Sequence, residues 1–403
     1  MSSRPENVAG RGTEHSSNAS IDEPCHVTLA TPAGRGAVAT VLVIGAEAAD
    51  IASRLLHTNA GPPLIERPPR VPVFGRWELP GGVREEVVVC RSSDRHVEIH
   101  CHGGPVAAGS IIETLVAQGC SPQSWQDALA ALDQDLVAAE ARIALAQCRT
   151  ARTARILLDQ FHGAWRRELA DLDRLAAASD TAELLRRLAL LLELAPLGVR
   201  LWQPWRVVLA GSPNVGKSSL ANALAGYERA IVNAAPGTTR DVLSSELAFD
   251  GWPVELADTA GIRGTDERIE AAGVRLAQTV QAAADLVLVV ADLSLPWTER
   301  EQALLDAHPA ALIVHTKTDL VPANLPQDRP EGLAVSALCA TGLDSLIEAL
   351  VRRRVPRVPA PKSAVPFTER QVVALQAARD KALAGELQEA RRILATIEET
   401  RLI

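Results

Sequence analysis

Two textures of apolar spacing alternate along this 403-residue chain. Over residues 21–120 the apolar positions come in short, β-branched runs. Residues 27–45 read as a strand, a turn at Thr31-Pro-Ala-Gly-Arg-Gly36 and a second apolar strand. Val87-Val-Val-Cys90 and Val97-Glu-Ile-His100 read as strands beyond a Pro-rich stretch at 61–72. A turn at His102-Gly-Gly-Pro105 follows, then Ile111, Leu115 and Val116 fall at helical spacing. The pattern predicts a small α/β domain over 21–120 behind a polar, disordered tail at 1–20. Residues 121–200 turn rich in Ala, Leu, Arg and Glu with little Gly or Pro, which predicts helices. Over 201–355 continuous apolar strands alternate with amphipathic helices, beginning at Arg206-Val-Val-Leu-Ala210. Strands without polar alternation are buried on both faces, so a mainly parallel sheet between helices is expected. A Pro-rich linker at 355–366 leads into a last helical stretch, grouped as 356–403.

Composition removes several classes. No run approaches the ~18 apolar residues of a membrane span, and the polar N-terminus lacks the apolar core of a secretory signal. Six cysteines without a CxxC pair argue for reduced thiols in a cytoplasmic protein. The net charge of −8 gives no global field for nucleic acid, so any RNA contact is local. Arginine is the default cation here. Two of the few lysines, Lys217 and Lys317, sit in strand-end motifs, where a compact ammonium is wanted.

Those motifs carry the chemistry. Gly211-Ser-Pro-Asn-Val-Gly-Lys-Ser218 matches GxxxxGK[ST] between a strand and a helix. Its backbone amides, from Gly211 through Asn214, Val215 and Gly216 to Ser219, are expected to cradle phosphates. Lys217 supplies charge to the β/γ oxygens, and the Ser218 hydroxyl ligates Mg2+. Asp258-Thr-Ala-Gly261 follows a strand, placing Asp258 in the Mg2+ shell and the Gly261 amide at the γ-phosphate. Between them lies Gly237-Thr-Thr-Arg-Asp241, where Thr239, in preference to Thr238, brings a hydroxyl to Mg2+. Thr316-Lys-Thr-Asp319 has Thr where NKxD has Asn, and Asp319 accepts from two guanine donors. Ser336-Ala337 closes the base pocket. The ordered set predicts GTP rather than ATP. Ile262 stands where a catalytic glutamine follows DTAG in other switches, so a water-orienting residue comes from elsewhere. The Asn214 amide oxygen suits a monovalent cation beside the phosphates.

With Ala235-Pro-Gly-Thr-Thr-Arg-Asp241, Asp258-Thr-Ala-Gly-Ile-Arg263 and Val97-Glu-Ile-His-Cys-His-Gly-Gly-Pro-Val106, the chain resembles the tRNA-modification GTPase family called TrmE or MnmE. The opening Thr31-to-Gly45 string is also similar to that family's, and the likeness runs over most of 25–400. The resemblance implies an α/β Ras-like P-loop GTPase domain inserted in an α-helical domain, preceded by a small α/β folate-binding-like domain. It implies a homodimer, K+-stimulated hydrolysis as nucleotide domains pair, and wobble-uridine modification of tRNA with a flavoprotein, GidA or MnmG. Asn214 would hold K+, and Glu270, twelve residues after Asp258, would orient the attacking water through a second water. Catalysis would thus rest on Glu270, Lys217, Thr239 and Gly261. Three departures stand out. The family's terminal Cys-x-Gly-Lys motif is replaced by Arg401-Leu-Ile403, the segment before the HVEIHCHGG string reads Ser92-Ser-Asp-Arg-His96, and nothing like PGEFTxRAF appears at 119–130. They separate folate binding and completed modification from the GTPase, whose Lys217, Thr239, Asp258 and Glu270 are intact. A diverged paralogue with another task, such as ribosome assembly, and a module holding GTP without turnover are the alternatives.

Two further clusters read more plainly. His100 and His102 share a strand face in a pattern that suits chelation, but the sequence offers no obvious further ligand pair, so packing is expected. Arg149, Arg152, Arg155, Arg166 and Arg167 fall near Asp159 and Glu168 and read as a solvated helix face rather than an RNA surface.

Overall fold

The computed structural model describes residues 24–32, 36–130, 132, 135–227, 244–258, 282–321 and 329–398, of which the side chains of 244 and 258 are left aside. The chain divides into two compact units, Met1–Ala131 and Leu132–Ile403.

The first unit is a seven-stranded sheet with helices on one face. Its strands are β1 (His26–Leu29), β2 (Val38–Ile44), β3 (Leu56–His57), β4 (Pro72–Glu78), β5 (Arg84–Ser93), β6 (His96–His102) and β7 (Ser121–Pro122). They lie in the order β3-β4-β5-β6-β2-β1-β7, antiparallel except for the β1–β7 pair. Strands β4 and β6 alternate in burial: Val73, Gly75 and Trp77 of β4 face in, as do Val97, Ile99 and Cys101 of β6. Such a period-two pattern gives one face to a core and one to solvent. Helices α1 (Ala48–Leu55) and α2 (Pro105–Ala117) cover the inner face, and α3 (Trp125–Ala130) follows β7. The fully buried Trp77 indole donates to Thr114 Oγ1 at 2.9 Å, which ties α2 to the sheet without an orphaned N–H.

In the second unit, α4 (Leu136–Gln147), α5 (Ala151–Phe161), α6 (Ala164–Ala177) and α7 (Thr181–Gly198) precede a six-stranded sheet. Asp135, Thr150 and Asp180 accept from first-turn amides of α4, α5 and α7, so each of these helices starts at a side-chain cap. The sheet contains β8 (Trp205–Ala210), β9 (Ser244–Phe249), β10 (Trp252–Asp258), β11 (Leu286–Asp292), β12 (Leu312–Thr316) and β13 (Leu333–Ala334). Their order is β13-β12-β11-β8-β10-β9, all parallel except β9. Every residue of β11 is buried, as the unbroken apolar run requires. Helices α8 (Lys217–Ala225), α9 (Glu299–Ala307) and α10 (Leu343–Arg354) accompany the sheet, and α11 (Glu369–Leu383) and α12 (Leu387–Ala395) end the unit.

The helices before and after the sheet pack on one another, α11 against α7 and α12 against α6. Arg370 pairs with Glu140 through two hydrogen bonds of 2.8 and 2.9 Å, and Arg391 with Asp173 through bonds of 2.7 and 3.0 Å. The Pro-rich stretch is docked at its end rather than loose. Buried Gln160 donates to Ser363 O at 3.1 Å and accepts from Val365 N–H at 3.1 Å, while the Trp165 indole donates to Val365 O at 2.9 Å.

The arginines near α5 have partners that linear proximity does not reveal. Arg149 meets Glu246 at 2.5 Å and Arg152 meets Asp250 at 2.9 Å, both in the β9–β10 hairpin, and the Arg152 guanidinium lies 5.3 Å from the Trp252 ring centroid. That hairpin turns through Asp250 (φ 48°) and Gly251 (φ 76°), the two positive-φ residues a type I′ turn demands. Arg166 pairs with Asp135 at 2.6 Å, whereas Glu168 is taken by Arg187 at 2.7 Å.

Candidate functional site

The carboxyl end of β8 runs into Gly211, and the loop closes at Gly216, where α8 begins. Gly211 has no room for a side chain: a Cβ there meets Val290 O at 2.2 Å. Gly216 caps α8 with φ +94°, and Asn214 adopts φ 62°, a region Asn tolerates better than most residues. The loop curls around its own lysine. Lys217 is buried, and Nζ donates to Gly211 O at 3.0 Å and Ser212 O at 2.7 Å. Backbone amides at a helix start suit an anion, with the helix dipole behind them. Ser218 and Ser219, in the first turn of α8, are exposed. Asp258 ends β10 in register with Leu209 of β8, so its backbone lies one strand over from the loop.

The base-side segment is bonded to the phosphate loop. Thr316, 2% exposed at the end of β12, has its hydroxyl within donating range of both Val215 O and Ala291 O, the latter at 3.1 Å. Lys317, at φ 60°, donates to Asn214 O at 2.9 Å and pairs with Asp292 at 2.7 Å. Burial pushes the Asp292 carboxyl up, but the Lys317 ammonium and the Ser294 hydrogen bonds outweigh it and hold it below the usual range. Fully buried Ser336 donates to Asp319 Oδ1 at 2.5 Å, which orients that carboxylate, and accepts from Cys339 N–H at 3.1 Å. Gly211, Asn214, Val215, Gly216, Lys217, Thr316, Lys317, Asp319 and Ser336 therefore form one bonded neighbourhood. Thr238, Thr239, Gly261, Ile262 and Glu270 lie outside the described residues.

One participant has no counterpart in the motifs. Glu301, 4% exposed in the first turn of α9, accepts from the Ser212 hydroxyl with one oxygen and from Thr298 with the other. Burial raises its pKa, but these hydrogen bonds prevail and hold the carboxyl below its ordinary value. Thr298-x-x-Glu301 is a capping box visible in the sequence. Nothing local predicts the bond to Ser212, 89 residues away.

The histidines of β6 are engaged within the first unit. His100 Nδ1 lies 3.0 Å from Thr40 Oγ1 and His102 Nδ1 lies 2.6 Å from Glu85. Glu85, from β5, is an acid that the spacing within β6 could not show. Among the described residues no three His, Cys, Asp or Glu side chains gather as a metal site.

A glycine-bounded loop around a buried lysine, bonded to a strand-end base segment on a parallel sheet, defines a P-loop GTPase domain. Residues 206–317 match the family model described as 50S ribosome-binding GTPase. The tRNA modification GTPase MnmE of Thermus thermophilus is 33% identical over 88% of this chain and 87% of that protein. That of Prochlorococcus marinus (strain MIT 9303) is 38% identical over 64% of this chain and 63% of that protein. The match with the latter thus spans a little under two thirds of the relative's length. Among solved structures, Aquifex aeolicus Era bound to GDP·AlF4− is 24% identical over 43% of this chain and 66% of that one, with a TM-score of 0.31. The chain belongs to the tRNA modification GTPase MnmE family.

Proposed function

We propose that this protein is a GTP-hydrolysing switch acting in wobble-uridine modification of tRNA. The observation that carries the reading is the bonding of Thr316 and Lys317 to the carbonyls of Val215 and Asn214. Occupancy of the base site and the shape of the phosphate loop are thereby coupled. Asp319, oriented by Ser336, accepts from the two guanine donors, and Lys217 exchanges its loop carbonyls for β/γ oxygens. Ser218, Thr239 and Asp258 complete the Mg2+ shell, Gly261 senses the γ-phosphate, and Asn214 holds K+ where other switches use an arginine finger. Glu270 orients the attacking water. The protein works in the cytoplasm as a homodimer, with tRNA and a GidA/MnmG-type flavoprotein as partners; folate is left out of the assignment. Among the described residues no helix is long and apolar enough to cross a membrane.

Turnover of GTP in K+ against Na+ tests the hydrolytic half, and equal rates would remove the Asn214 assignment. Mass spectrometry of wobble nucleosides from cells lacking the gene tests the other half. Loss of the C5 modification is expected, and unchanged tRNA overturns the assignment.

A further inference from the structure

A cavity opens at the end of the sheet opposite the phosphate loop. It has a volume of about 340 Å3 and is formed by the C-terminal turn of α7, the start of β8, the residue before β11 and the end of α10 with the chain beyond it. Trp205, in its wall, begins β8, whereas Gly211 follows that strand's last residue. Six residues of strand at about 3.3 Å each put it roughly 20 Å from the phosphate loop.

Half of its lining is apolar, and the charged half is lopsided. Four guanidinium groups, from Arg200, Arg353, Arg354 and Arg357, face two carboxylates, Glu193 and Asp285. Asp285 is already committed: it binds Arg200 at 2.5 Å and accepts from the Arg206 amide at 2.8 Å. Among the described residues Glu193 makes only an exposed 4.0 Å pair with Arg357, and Arg353 gives one N–H to Ala310 O at 3.3 Å. Arg354 is the unusual member. Its Nε is fully buried and has no hydrogen-bond partner among the described residues. Burial pushes its pKa down; Asp285 opposes this, and Arg353 and Arg200 add to it.

Arginines at a helix C-terminus ordinarily balance the terminal carbonyls, and Arg352, paired with Glu348 at 2.8 Å, needs no other account. That account leaves the Arg354 Nε without an acceptor among the described residues, with Arg353 and Arg200 as well as Asp285 near it, in a chain whose net charge is −8. The missing element is an anion with several acceptor oxygens in the plane of a guanidinium. We propose that this cleft binds a phosphate group, supplied by the RNA backbone, with Arg354 as the fixed fork and Arg353 and Arg357 as mobile clamps. The RNA source rests on the tRNA reading above; the phosphate chemistry does not.

The test uses the full chain saturated with Mg·GDP, so that the nucleotide loop is filled. Anisotropy of a labelled tRNA transcript across a salt series is compared for wild type and Arg353→Gln/Arg357→Gln, both exposed positions. We expect affinity to fall at least fivefold and the salt slope to shrink by about one to two, because each lost phosphate contact removes close to one released ion. GTP turnover without RNA is expected to stay the same. Arg354→Lys, which keeps the charge but not the fork, is expected to lose a similar share of affinity. If wild type binds tRNA and these variants bind equally with equal slopes, the cleft is not a phosphate site. If wild type does not bind tRNA, the tRNA reading fails, and titration with inorganic phosphate decides. Saturable binding lost in the double variant keeps the site as one for free phosphate, and its absence or persistence overturns it.

Discussion

Thr316 occupies a position where NKxD carries asparagine, and its hydroxyl is one of two links between base segment and phosphate loop, beside Lys317. The hydroxyl has one hydrogen, so it serves Val215 O or Ala291 O, not both at once. In Thr316→Val the shape is kept and the donor is lost, leaving a buried carbonyl short of a partner. Such an orphan costs about 1–3 kcal/mol. For a unit of this size each kcal/mol moves the melting temperature by about 2–4 °C, so a fall of roughly 2–12 °C is expected. The part of the cost expressed only in the closed loop appears in nucleotide affinity, and 1.4 kcal/mol there is about tenfold. The assay is GDP binding by a fluorescent analogue together with a melt of the free protein. Thr316→Ser separates the two effects, since it keeps the donor and removes a methyl. It is expected to melt lower yet hold GDP within about twofold to threefold of wild type, on the premise that affinity follows the hydrogen bond rather than the methyl. Wild-type GDP affinity in Thr316→Val would refute the coupling.

Other expectations follow from the same geometry. Glu301 has a folded pKa below its unfolded value of about 4.3, so its stabilisation is present above that value and disappears as pH falls through the folded pKa. An acid titration of stability should therefore lose part of its steepness below about pH 4.3 in Glu301→Gln, and an unchanged curve would show that Glu301 contributes nothing there. Lys217→Ala should lower GTP affinity or turnover by at least a hundredfold, of the order seen when a preorganised charge at a reacting site is removed. Gln160→Leu strands Ser363 O and Val365 N–H and should cost about 2–6 kcal/mol by denaturant unfolding, twice the single orphan.

How much of this could be seen in the sequence varies with the range of the contacts. The phosphate loop could be seen because its function needs glycines and a lysine at fixed local spacing, and strand and helix flank it as the apolar runs imply. The parallel sheet showed in β11, where no polar residue interrupts the apolar stretch before Asp292. Contacts made at long range did not show. Arg149 and Arg152 meet the β9–β10 hairpin nearly a hundred residues on, although the Asp250-Gly251 turn that presents the acids is itself a local signal. Glu301 announces a helix cap but not its bond to Ser212. The Pro-rich stretch looks like free linker until Gln160 and Trp165 supply its backbone partners.

That last docking bears on how the protein could change over time. Gln160 with Val365, and Glu140 with Arg370, clasp the chain on both sides of the sheet, which makes everything between them a closed excursion from the helices. The entropy of closing such an excursion grows only with the logarithm of its length, about 0.6 kcal/mol per doubling. Residues can be added to or removed from the nucleotide module at little thermodynamic penalty while the clasp holds. Loss of the clasp itself would unfasten both ends together, so the freedom to vary lies inside the module and the constraint lies at its roots.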